Sequence, residues 1–247
     1  MPADLALLFL AGTGTALATG LGAIPVFFLG ERAATLRPAL LGIAAGVMAV
    51  ASIDGLLRPG FEEGSDAAVL AGVVVGVGFL LLGRRAVEVH EARNHADRSA
   101  GLQMSILVFA VLFVHSLPEG FAIGTAYASG TSGLGLFVIV AIAIQNIPEG
   151  TSVALPMASV GLSRRRQFWA AVGTSVPQPV GAVVAYLLVE QVSALLPFSF
   201  GFAAGAMLAL VALELLPEGI REDAAAALIG TALGTLGMLG LSAALGV

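Results

Sequence analysis

The chain has 247 residues, of which 58% are hydrophobic and 11% charged, with a net charge of -5, eleven arginines, no lysine and no cysteine. Its mean hydropathy of +0.99 lies outside the range of water-soluble globular domains, so the composition describes an integral membrane protein. Without cysteine there is neither a disulfide framework nor a thiolate metal cage, which leaves nitrogen and oxygen ligands for any metal. The lack of a long basic arm argues against nucleic acid as a partner.

A helix needs about 20 apolar residues to cross the hydrocarbon core, where only helices and closed barrels satisfy their backbone. The apolar runs here show no alternation, which selects helices. The first, from Leu5 to Gly30, has no basic segment before it and is too long for a signal-peptide core, so it reads as a retained helix. The second runs from Pro38 to Ile53 and extends toward Leu57; the third, Ala67 to Gly83, is short for a full crossing. The fourth, Ser99 through Pro118 to Gly130, is divided from the fifth, Thr131 to Gly161, by "AYASGTSG" at 126–133. Gln167 to Val189, Gln191 to Leu213 and Ala224 to Val247 complete eight.

The expected architecture is therefore all-α, a polytopic membrane helix bundle of eight transmembrane helices forming one domain over residues 1–247. Amino and carboxyl termini both fall outside, because that orientation puts Arg32, Arg37, Arg84, Arg85, Arg93, Arg98, Arg164, Arg165, Arg166 and Arg221 on the inner connections and only Arg58 on an outer one. Outer "RPGFEEGSD" at 58–66 reads as a solvated loop before it reads as a funnel for cations. The polar stretch from Arg84 to Gly101 reads as an inner loop; its His90 and His95 are more readily solvated residues than metal ligands. Asp54 falls at an outer boundary as an interfacial residue, and Glu218 of "LLPEG" reads as marking the inner end of the seventh span.

Two stretches break this pattern. "HSLPEG" begins at His115 and "QNIPEG" at Gln145, thirty positions later, and between Arg98 and Arg164 the only charges are Glu119 and Glu149. A carboxylate at membrane depth is costly and faces a bundle interior or a water-filled cavity. His115 and Glu119 are four residues apart, as are Gln145 and Glu149, so each pair shares a helix face one turn apart. Pro118 and Pro148 lack an amide hydrogen, which deprives the carbonyls of Val114 and Ile144 of their helical donors and favours a kink. Gly120 and Gly150 then permit close packing beside it. If the two faces converge, an imidazole, two carboxylates and an amide oxygen can surround a divalent cation such as zinc, iron or manganese. Without the cation the two acids would hold a proton between them, so binding would release protons.

In these two motifs, and in its eight-span pattern, the chain resembles the prokaryotic branch of the ZIP family of divalent metal transporters over essentially its whole length. The resemblance implies a first metal site on His115, Glu119, Gln145 and Glu149, whose glutamates are shared with a second site that adds Ser116, Asn146, Gln178 and Glu214. The chain departs from the family where "VPQPVGA" supplies Gln178 in place of an acid and where Ser116 replaces asparagine or aspartate, which weakens the second site. The resemblance also implies a multi-pass protein of a prokaryotic plasma membrane, a homodimer, and helices that carry the metal in an elevator-like movement.

The function expected is secondary transport of a divalent transition metal into the cytoplasm, zinc foremost, with iron, manganese or cadmium as further substrates. The metal is then cargo, no prosthetic group is required, and the partners are the ion, the bilayer and a second copy of the chain. A divalent cation channel, or a proton-coupled carrier for another small solute, is the alternative. An intramembrane hydrolase is disfavoured because the spans lack HExxH, GxGD and GxSxG.

Overall fold

The computed structural model describes residues 2–93 and 100–247, which are helical almost throughout. In order, the helices are α1 (Pro2–Leu21), α2 (Ala23–Leu29), α3 (Arg37–Ser52), α4 (Arg58–Glu63), α5 (Asp66–Arg93), α6 (Ala100–Ala128), α7 (Leu134–Ser159), α8 (Arg164–Thr174), α9 (Pro177–Gln191), α10 (Leu196–Leu210) and α11 (Leu216–Leu245). Seven helical stretches among the described residues are long and apolar enough to cross a membrane.

Several expected boundaries move, each for a local reason. The first apolar run is two helices, because the chain breaks at Gly22, where a Cβ would lie 2.0 Å from the carbonyl oxygen of Ile147. The sixth is broken at Ser175 and Val176, ahead of Pro177, which opens α9 and has no amide hydrogen to donate into α8. The polar stretch that begins at Arg84 is helical as far as Arg93, so α5 is longer than its apolar core and carries His90 on its exposed end. His95, the other candidate there, lies outside the described residues. "RPGFEEGSD" is likewise helical through Glu63, with Pro59 and Gly60 buried.

Two π turns, Ile53–Leu57 and Val211–Leu215, join α3 to α4 and α10 to α11. Each widens the helix so that the next amide, of Arg58 or Leu216, bonds back five residues, to Ile53 or Val211. Pro59 or Pro217 then follows at once. The ring of a proline collides with the carbonyl four residues back, and a wider turn relieves the collision. The two regions also share a preceding sequence, "AAGVM" at 44–48 and "AAGAM" at 203–207. They are two copies of one device that run in opposite directions: Gly64, after the first, packs on Pro197 at the start of α10, while Arg37 at the start of α3 pairs with Glu218 and Glu222 beyond the second.

Four helix pairs, each parallel, build the bundle. Along α3 and α11, Gly42 and Gly46 rest on the backbone of Ala227 and Thr231, and Gly230 and Gly234 rest in return on Ala39 and Ile43. The same reciprocal fit joins α5 to α10 through Gly72, Gly76, Gly201 and Gly205. In lipid, where burying an apolar side chain gains little, such backbone-to-backbone packing is a main source of association. The remaining pairs, α6 with α9 and α1 with α7, carry the polar residues. Because α3 opposes α10 while the long arm of α11 follows α3, the chain reverses within α11. The reversal falls at Asp223, which has an extended conformation (φ -157°, ψ 102°) and accepts a hydrogen bond from Ala226 N at 3.0 Å. It is an N-cap for the last helix arm.

Candidate metal centre

Helices α6 and α7 pack against each other with their polar faces inward. Gly120 sets α6 on α9, where a Cβ would stand 2.3 Å from Gln178 O, and Gly150 sets α7 on α1, where it would stand 1.7 Å from Thr19 O. Any side chain at either glycine would prise the faces apart.

The result is that His115, Ser116, Glu119, Gln145, Asn146, Glu149 and Gln178 are all 2% exposed or less. Glu119 lies at the centre. Its Oε1 accepts a bond from Gln145 Nε2 at 2.8 Å and its Oε2 accepts one from Gln178 Nε2 at 2.6 Å, and its carboxyl touches that of Glu149. Both glutamates and both motif-leading residues, His115 and Gln145, are thus buried in one interior.

Around that centre several donors have no protein partner. Both ring nitrogens of His115, Ser116 Oγ, Gln145 Oε1 and Glu149 Oε1 are buried and unbonded. A buried polar atom left unbonded costs about 1–3 kcal/mol, so five of them close together need an explanation. The amide and carboxylate oxygens and the unprotonated ring nitrogen among them offer lone pairs with no hydrogen to accept, which is what a cation uses. Among the described residues no three His, Cys, Asp or Glu side chains cluster as a ligand set on their own; an ion held here would draw on the Gln145 oxygen or the Ser116 hydroxyl as well.

The residues that the resemblance assigned to a second site divide between two neighbourhoods. Glu214, on the second π turn, points toward His115, with Oε1 3.8 Å from Nε2, and also takes a bond from Arg84 Nη1 at 3.2 Å. Asn146 and Gln178 instead face α1. Gln178 Oε1 accepts from Thr15 Oγ1 at 2.7 Å and from Asn146 Nδ2 at 3.1 Å, and Asn146 Nδ2 also reaches Thr15 O at 2.7 Å. Both ends of the Gln178 amide are therefore spent on protein. Glu218 pairs with Arg37 at the start of α3, and the helix runs on past it to Asp223.

Thr15 and Thr19 were not anticipated as members of this network. Thr19 shares a 2.7 Å hydrogen bond with Ser175, and Thr151 donates at 2.7 Å to Gly22 O. The signal was present in "GTGTALATG" at 12–20, a hydroxyl- and glycine-rich patch in an otherwise greasy span. Asp54, at an outer boundary by its position in the sequence, is half-buried in the first π turn and lines a separate cavity with Arg58, Glu62 and Glu63.

A helical bundle with apolar spans around a closed polar centre of imidazole, carboxylates and amides defines the class: a polytopic membrane protein with ionisable groups in its interior. Comparison with known proteins fixes it further. Residues 84–242 match the family described as ZIP zinc transporter, and the chain belongs to that family, whose members are transporters and not enzymes. It is 35% identical over 232 residues to the zinc transporter GufA of Myxococcus xanthus, covering 90% of each chain. To the zinc transporter ZIPB of Bordetella bronchiseptica it is 35% identical over 256 residues, 96% of this chain and 81% of that one. A putative zinc transporter of Arabidopsis thaliana is 40% identical over 214 residues, 84% of this chain, and the chain spans only 33% of the length of that relative.

Proposed function

We propose that the protein is a carrier for a divalent transition metal, zinc foremost and iron, manganese or cadmium besides, and that it moves the ion across a prokaryotic plasma membrane into the cytoplasm. The observation that carries this reading is the convergence of unbonded, buried donors from His115, Gln145 and Glu149 beside Glu119. Their number and chemistry suit a borderline metal, and two carboxylates offset its charge. Ser116, Asn146, Gln178 and Glu214 flank the ion rather than lead its coordination, since Asn146 and Gln178 hydrogen-bond to α1. Enclosure of these donors favours a carrier, in which the ion is occluded, over an open pore.

We read the chain as one transport domain with eight crossings. Ser193–Leu245 is 53 residues long, about 80 Å as one helix against a core of roughly 30 Å; the reversal at Asp223 supports counting it as two. Eight crossings with the arginine-rich connections inside leave both termini outside. Assembly as a homodimer and an elevator-like movement rest on family resemblance.

The test is uptake by proteoliposomes loaded with a metal-sensing dye. Saturable zinc uptake, competed by cadmium, iron or manganese, is expected. Uptake of all four no faster than in empty vesicles would sink the reading, and rates rising without saturation would replace the carrier with a channel.

A further inference from the structure

Below the buried cluster, on the side that bears the arginines, a cavity of ≈ 170 Å³ is lined by Glu149 and Glu214 and also by Arg37, Arg84, Glu88 and Glu218. It joins the closed centre to groups that water reaches. A cation leaving His115 in this direction meets Glu214 directly, because a single oxygen, Glu214 Oε1, lies 3.8 Å from His115 Nε2. That same oxygen is already claimed. Arg84 Nη1 donates to it at 3.2 Å.

The guanidinium has a second partner that makes it movable. Arg84 Nε donates to Glu88 Oε1 at 2.8 Å, one turn further along α5, and the two side chains are 40% and 50% exposed. Arg84 can therefore release Glu214 and remain paired. It cannot release a proton instead, since a guanidinium stays charged at every accessible pH. An ion that takes Glu214 Oε1, the oxygen nearer His115, competes there with a positive charge, and that charge is tethered beside the oxygen, ready to return.

We propose that Arg84 is a built-in competitor for the transported cation at Glu214, a positioning residue that weakens the hold of that carboxylate on the ion and so speeds its release into the cavity. An acidic exit with no such competitor would bind the ion and retard it. A purely structural ion pair would fix α5 to the second π turn and leave the balance between affinity and turnover unchanged. The proposal rests on the buried metal site put forward above.

Zinc uptake by proteoliposomes of the full chain tests it, with Arg84→Gln, Arg84→Lys, Glu214→Gln and the Arg84→Gln/Glu214→Gln double variant, beside the equilibrium zinc affinity of each purified protein. Arg84→Gln should lower both KM and turnover, each by about two- to fivefold, the range of a partly exposed ion pair. Arg84→Lys, which keeps the charge, should stay near the wild type. In the Glu214→Gln background the arginine substitution should change neither uptake nor affinity, and the affinity measurement decides this even if Glu214→Gln transports nothing. The proposal is overturned by an unchanged KM in Arg84→Gln, whether turnover falls or not, by Arg84→Lys behaving as Arg84→Gln, or by an equal tightening of zinc binding without Glu214. Glu119→Ala and Glu149→Ala in the same vesicles separate the two readings: if they transport zinc normally the buried site is wrong, whereas failure of the arginine proposal leaves them inactive.

Discussion

At the scale of single residues, Glu119 and Glu149 are the groups whose burial has no structural reason. Neither gains from sitting in an apolar interior, and Glu149 Oε1 has no protein partner. Replacement of either by alanine should abolish zinc uptake while membrane insertion and the elution profile in detergent persist; normal uptake by both variants would remove the site. Gln145→Ala should be milder, because an amide oxygen is a weak ligand and its lost bond to Glu119 leaves Gln178 still donating. Thr15 acts at one remove, by holding Gln178 in place. Thr15→Val should cost about 1 kcal/mol of stability, seen as a lower melting temperature in detergent, with uptake reduced but not lost. The motif residues were legible because a charge in a long apolar run stands out. Thr15 was not, since a threonine can satisfy its hydroxyl on its own helix, and only the approach of α9 shows that it does more.

At the scale of elements, glycines and prolines decide where helices touch and where they bend. A Cβ at Gly150 would fall 1.7 Å from a backbone oxygen of α1, which cannot move aside, whereas one at Gly237 meets nothing within 4 Å. Gly150→Val should therefore destroy the folded state, with Gly237→Ala neutral or slightly stabilising; thermal unfolding in detergent compares them. Asp223→Ala removes the cap of the last helix arm and should cost about 1 kcal/mol. Helix existence was readable from hydropathy, and the start of the last arm followed from its charges. The π turns before Pro59 and Pro217 were not, because proline alone does not say whether a helix kinks, widens or ends. α6 and α7 run without interruption through Pro118 and Pro148, whereas the chain before Pro177 breaks.

At the scale of the whole molecule, four parallel pairs leave the polar residues of α1, α6, α7 and α9 facing one another and expose apolar side chains such as Phe28, Val74 and Leu82 on the outside, where lipid would lie. The cysteine-free chain permits a direct test of the crossing count. Single cysteines at Ser65 and Thr131 should react with an impermeant thiol reagent added outside intact cells, and one at Ser163, beside Arg164, only after the membrane is opened. Labelling of all three from one side would refute the proposed orientation.

The sequence by itself determined the apolar character of the chain, the existence of its long helices and the two motifs, because each depends on composition or on spacing within one helix. Which helices pair, which of the buried donors are left over for an ion, and that Glu214 serves both His115 and Arg84 depend on distances between segments as much as about 190 positions apart, as Gly230 is from Ala39. Those distances are set by backbone-to-backbone contact at glycines on different helices, and a glycine in a sequence does not name the helix it will meet.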